Sequence, residues 1–296
     1  MPAFDTWDEI RIAYHVARAG TVSGAAEALG VHHATVIRHV DALEARLGLR
    51  LFQRHARGYT PTEAGTELFR VARTTDEQFA QLAARLGGGA GEISGELTVT
   101  AIPDITPFLA PSLMRFRAAH PGLAVRLMTD TRVFRLEYGE AHVAIRAGGR
   151  PDQPDNVVRP FGSIRHALYA AESYIAANGR PETEADLARH HCIGADAPDS
   201  PVPFLRWLSA AVPASAIGFR SRDLQALATA VIAGAGVGFL PLWQGEATPG
   251  LVQLLPPRDE WNADLWLVTH VDLHRTAKVQ AALAHLRADA AGWPLG

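Results

Sequence analysis

The chain has 296 residues, 48% of them hydrophobic and 20% charged, with a formal net charge of −3 at pH 7. That length suits two or three domains with a sizeable core, and that composition excludes a disordered or fibrous chain. No apolar run reaches bilayer length, the acidic start MPAFDTWDEIRIA is unlike a signal peptide, and the lone Cys192 cannot form an intrachain disulfide, so a cytoplasmic protein without a membrane partner is expected.

Trp7, Ile10, Tyr14 and Ala17 fall at helical spacing, and Gly20 ends the helix they predict. Ser23 stands where it would cap a short second helix, Gly24–Leu29, closed by Gly30. Residues 31–48, VHHATVIRHVDALEARLG, predict a third helix in which Val36, Val40, Leu43 and Leu47 form one apolar stripe and Gly48 the stop. His32 stands in the cap position. His33, Ala34, Ile37, Arg38 and Asp41 lie on the opposite face. Two short helices joined by a tight turn, the second with a surface of its own, form a helix-turn-helix. Its second helix is of the size that enters the major groove of duplex DNA. Around it, Arg38, Arg46, Arg50, Arg54 and Arg57 stand against Asp41 and Glu44, a local positive surplus in an acidic chain. Such a patch fits a polyanionic partner, although a solvated charged face reads the same way. Ile37 either packs on a thymine methyl or belongs to the core. No two of His32, His33 and His39 sit three or four apart, so neither a metal nor any other cofactor is expected.

LRLFQRHARGYTP predicts a small hairpin turning at Arg57-Gly58, with Arg54 and Arg57 on a wing within reach of phosphates. Thr60-Pro61-Thr62-Glu63 reads as a capping box opening a long helix over residues 61–86. Its Ala64, Leu68, Val71, Thr75, Phe79, Leu82 and Leu86 make a near-heptad seam that suits two chains packed side by side. GGGAGEISG (87–95) is then a flexible tether.

Residues 17–65, with the run GT-S-AA-LG, then LE-LG-LF-R and a T-AG ending, resemble the winged helix-turn-helix of LysR-type transcriptional regulators. The resemblance extends over nearly the whole chain. It implies a homodimer or homotetramer paired through the long helix, and a ligand-sensing domain behind it. Three positions depart from the family pattern: His32 and Ile37 where serine or another polar residue is usual, and His142 where aspartate is usual.

From Gly95 onward strand and helix patterns alternate: 96–101, 105–121, 123–130, 141–148, then 167–179, 216–221, 224–236, 237–241, 265–270 and a final helix near Thr276. This predicts an α/β region of mainly parallel sheets in two subdomains with a cleft between them. LxxGEAHVAIRAG (136–148) and AGAGVGFLP (233–241) resemble the motifs of the family's periplasmic-binding-protein-like effector domain. By that likeness the chain divides into a DNA-binding domain (1–60), a dimerisation helix and tether (61–92) and an effector domain (93–296). The last has one subdomain of 93–163 plus 267–296 and another of 164–266. Ligands bind beyond the carboxyl ends of strands in such sheets, which singles out Thr100, Ile102, Asp104, Thr129, Arg146 and Arg222 as effector-binding candidates. Arg146 and Arg222 are placed to clamp a carboxylate, or simply to meet surface acids.

The glycines around Gly234 lie after a helix and before a strand, the reverse of a dinucleotide loop. No serine or cysteine carries the local signature of a nucleophile, so no enzyme activity is expected. The expected function is a ligand-responsive, sequence-specific DNA-binding regulator sensing a small metabolite, an anion if the two arginines act together. Its rivals are an architectural DNA-binding protein without an effector and a nucleotide-dependent enzyme on the α/β portion.

Overall fold

The computed structural model describes residues 6–55, 58–86, 93–130 and 132–295, with the side chains of residues 77, 80–86 and 138 outside that description. Three helices, α1 (Trp7–Ala19), α2 (Val22–Leu29) and α3 (His33–Leu47), close around Ala13, Val16, Ala25, Val36, Val40 and Leu43. Each ends at a glycine with φ of +66 to +69°, the left-handed stop that glycine adopts without steric cost. Thr21, and not the expected Ser23, caps α2: it is the last extended residue, and its Oγ1 accepts the Gly24 N–H at 3.1 Å. β1 (Phe52–His55) and β2 (Gly58–Pro61) pair as the expected antiparallel wing.

The long helix α4 (Glu63–Leu86) starts two residues later than expected, because Pro61 pairs with Phe52 in the wing. Thr62 rather than Thr60 caps it, its Oγ1 accepting the Gly65 N–H at 3.1 Å. A Cβ on Gly65 would stand 2.0 Å from the Leu51 carbonyl oxygen, so glycine alone lets α4 lie this close to the end of the wing. Gly65→Ala is expected to cost about 1–3 kcal/mol of N-terminal-domain stability through overpacking. Urea denaturation checks this, and an unchanged midpoint would refute it. Ala64 and Leu68, expected in an intermolecular seam, instead pack on the domain's own core. Val71 and Phe79 stay exposed, with Phe79 meeting the Trp7 ring edge-on at 5.5 Å.

The remaining chain runs β3 (Gly95–Ala101), α5 (Thr106–Ala119), β4 (Leu123–Thr129), β5 (Val143–Ala147), β6 (Asn156–Ile164), β7 (His166–Ala171) and α6 (Glu172–Asn178). It continues through β8 (Cys192–Ala195), α7 (Pro203–Ala211), β9 (Ile217–Ser221), α8 (Leu224–Ile232), β10 (Gly238–Pro241), α9 (Leu242–Ala247) and β11 (Leu251–Leu255). It finishes with β12 (Ala263–His270), the single turn α10 (Val271–His274) and α11 (Ala277–Ala290).

Two cores result. In the first lobe a sheet ordered β4-β3-β5-β12-β6 packs Leu97, Val99 and Ile145 against Leu109 and Phe116 of α5 and Leu283 of α11. The second lobe holds β10-β7-β11 and the pair β8-β9 around Tyr169, Phe204, Leu208, Val231 and Trp261. The sheets are mixed rather than mainly parallel. β3, β4 and β5 are parallel, but the chain leaves the first lobe along β6 and re-enters along β12, side by side and opposite in direction. β12 is therefore antiparallel to β5 as well. Rings also bridge the lobes: Phe108 of α5, which packs with Trp293 on the first lobe at 6.0 Å, lies 5.0 Å from Trp243 of α9 on the second. No helix among the described residues is long and apolar enough to cross a membrane.

Candidate nucleic-acid interface and ligand cavity

The outward face of α3 follows from its stripe. With Val36, Val40 and Leu43 buried, His33, Ala34 and Arg38 are turned to solvent. Ile37 is half-buried and touches the domain core. Arg38 has no hydrogen bond or ion pair among the described residues. His32 occupies the cap position in extended conformation, but its side chain accepts no cap bond. The first hydrogen-bonded amide of the helix is that of Thr35, which donates to His32 O at 2.9 Å. The amides of His33 and Ala34 are thus left without a side-chain cap at the positive end of the helix dipole, the geometry that suits a phosphate.

Glu44 holds this face in place, a role its position beside Leu43 does not announce. Its side chain is buried, and Oε1 accepts the Leu51 and Phe52 amides at 2.8 and 3.1 Å. Oε2 accepts from Arg50 at 2.7 Å and from Arg54 at 2.8 Å. Burial pushes the carboxyl upward, yet the bonds from Arg50, the two amides and Arg54 outweigh it, and the net shift is below the ordinary value. Arg54 is also held by Asp41, and its guanidinium lies 5.4 Å from the Tyr59 ring centre. Its head group is thereby committed to joining wing and helix rather than left free on the wing. Arg57 lies outside the described residues.

The second feature is a cavity of about 570 Å³ between the two lobes, within the range of small-molecule sites. It opens where several strands end: Ile102 follows β3, Ala147 ends β5, Asp196 follows β8 and Arg222 follows β9. Ile102, Asp104 and Arg222 meet there as expected candidates, whereas Thr100, Thr129 and Arg146 are not among its lining. Thr100 is buried within β3, and Thr129 is exposed at the end of β4. Arg146 donates to Phe134 O and Gln153 Oε1, both at 3.0 Å, so the two arginines do not face each other.

Asp104 is 5% exposed at the wall of the cavity. Its carboxyl is shifted upward, chiefly by burial and further by the neighbouring Asp223, against a hydrogen bond from Gln225. That bond, Gln225 Nε2 to Asp104 Oδ1 at 3.4 Å, crosses from one lobe to the other. Arg222 is paired with Asp196 at 2.9 Å at the mouth. His166 lies against Phe204 with ring centres 4.0 Å apart. Burial pushes its imidazole down to about 3, so the ring is neutral. Sequence reasoning misses Asp196, Asp199 and Gln225, the first two because they follow β8, a strand of only four residues.

Among the described residues no group of three or more His, Cys, Asp or Glu side chains is arranged to hold a metal ion. The family model of the bacterial regulatory helix-turn-helix protein, lysR family, matches residues 7–66, and that of the LysR substrate binding domain matches residues 90–291. The chain is 29% identical to the HTH-type transcriptional regulator CrgA of Neisseria meningitidis over 65% of this chain and 64% of that protein, so it aligns with just under two thirds of that relative. It is 26% identical to the probable HTH-type transcriptional regulator LtrA of Klebsiella pneumoniae over 94% of this chain and 93% of that one. The crystal structure of ArgP from Mycobacterium tuberculosis superposes with a TM-score of 0.70 at 18% identity, covering 97% of this chain and 98% of that chain, a likeness of fold.

Proposed function

The chain belongs to the LysR family of bacterial helix-turn-helix transcriptional regulators, and from that premise we propose how its surfaces divide the work. Residues 1–60 read DNA, 61–92 pair two copies and carry the tether, and 93–296 hold the effector. Two chains join along α4, where Val71 and Phe79 are left exposed, and each presents an α3 to one major groove of a roughly palindromic site in the cytoplasm. His33, Ala34 and Ile37 face base edges, Arg38 a base or phosphate, and the uncapped amides of His33 and Ala34 a backbone phosphate. A small-molecule effector enters the inter-lobe cavity and contacts Ile102, Asp104 and Arg222. It shifts the arrangement of the pair only to the extent that it binds one arrangement more tightly than the other. The similarity to the helix-turn-helix transcriptional regulators CrgA and LtrA supports this reading. The family is one of regulators and not of enzymes.

The observation that carries the proposal is the outward face of α3, with Arg38 uncommitted beside an open helix start. Its test is binding of the full chain to duplex DNA recovered by repeated selection from random sequence. The logarithm of affinity should fall linearly with the logarithm of salt concentration, as phosphate contacts release counterions. Failure to retain any duplex at low ionic strength would overturn it.

A further inference from the structure

The two arginines expected to clamp an anion do not meet, and the charge around the cavity runs the other way. Its lining carries Asp104, Asp196, Asp199 and Asp223 against Arg222, and Arg222 is spent on Asp196. Three helices begin at this cavity, and each brings an aspartate of its own. Asp104 sits in the turn leading into α5, Asp199 lies four residues before α7, and Asp223 directly precedes α8. Asp223 caps α8, its Oδ1 accepting the Gln225 N–H at 2.9 Å. The positive end of α8, which would attract a ligand carboxylate, is thus already answered by the protein, and a carboxylate stands near each of the other two.

Asp104 points most directly to what is missing. It is 95% buried against the cavity, and the long bond from Gln225 to Oδ1 is the one hydrogen bond the structure gives it among the described residues. Oδ2 is an acceptor without a protein donor. A buried carboxylate of this kind is costly unless a donor or a positive charge completes it. A second anion brought beside it would raise that cost. Ile102, Ile164, Val202, Phe204 and Leu224 supply an apolar bed next to the acids.

Resting on the reading of this cavity as the effector site, we propose that the effector is a small organic cation, an amine or guanidinium on an apolar body. Its head group bonds Asp104 with Asp199 nearby, and its body lies along Ile102, Phe204 and Leu224. The cation takes the acceptor that no protein group fills. Because Gln225 reaches Asp104 from the opposite lobe, occupancy of that carboxylate is felt on both sides of the cleft.

The test is calorimetric titration of the full chain with two matched series, hexylamine, hexanol and hexanoate, and 4-phenylbutylamine, 4-phenylbutanol and 4-phenylbutyrate. In at least one series the amine should bind tenfold or more tightly than both its partners, and Asp104→Asn or Asp199→Asn should abolish that preference. Asp104→Asn is expected to keep or raise the thermal midpoint of the free protein, since it removes a poorly completed buried carboxyl; Asp199 is exposed, so its substitution leaves the fold alone. An acid that binds as tightly as its amine would overturn the cationic effector while leaving the cavity a ligand site. An amine preference that survives both substitutions would likewise overturn it. No binding by any of the six at millimolar concentration would overturn the cavity reading together with it.

Discussion

Replacing Glu44 with alanine is expected to cost the N-terminal domain about 2–6 kcal/mol, from two buried amides left without an acceptor at about 1–3 kcal/mol each. Leu51 and Phe52 lose their shared acceptor, while Arg50, 71% exposed, and Arg54, 33% exposed, can turn to water. The amides, not the ion pairs, therefore carry most of the loss. Glu44→Gln keeps an oxygen for the amides and should cost about half as much. Hydrogen exchange at Leu51 and Phe52 reads the effect directly, and protection unchanged in the alanine variant would show that the carboxylate is not the clamp. The same group sets an acid limit. Its folded-state pKa lies below the ordinary carboxylate value, so its stabilisation is complete above about pH 4.3, the unfolded value, and is lost as pH falls through the folded one. The acid limb of stability should flatten in Glu44→Ala.

Arg38→Ala is expected to weaken binding of the selected duplex by about 5- to 150-fold, the equivalent of about 1–3 kcal/mol for one good base contact. The side chain is exposed and makes no bond among the described residues, so its removal leaves the fold intact and circular dichroism should be unchanged. Anisotropy titrations at several salt concentrations separate the two roles open to it. A lost base contact relaxes preference at one position with the salt slope preserved, whereas a lost phosphate contact weakens all sequences and lowers the slope by about one. Full sequence-specific affinity in the variant would put the reading face elsewhere on the helix.

Features fixed within a few residues are legible in the amino-acid order. The three helices stop at Gly20, Gly30 and Gly48 because glycine takes the left-handed turn cheaply, and the outward face of α3 follows from the spacing of Val36, Val40 and Leu43. What depends on distant partners is not legible. Thr60 and Thr62 are both reasonable caps, and only the pairing of Pro61 with Phe52 decides between them. Glu44 reads as a surface charge until the start of β1 lays two amides across it. Arg146 stands at a strand end like Arg222, but its neighbours Phe134 and Gln153 draw it off the cavity. The sign of the cavity's charge is likewise collective, since its four aspartates come from three separate segments and only the fold assembles them.

The rings bridging the lobes have an optical consequence. Trp243 rides on α9 in one lobe while Phe108 stands against it, ring edge to face, from the other. Any pivoting of the lobes must slide these faces past one another and alter the polarity around the indole. The protein therefore carries its own caliper: with the other tryptophans silenced, the emission colour of Trp243 records how far the jaws have turned.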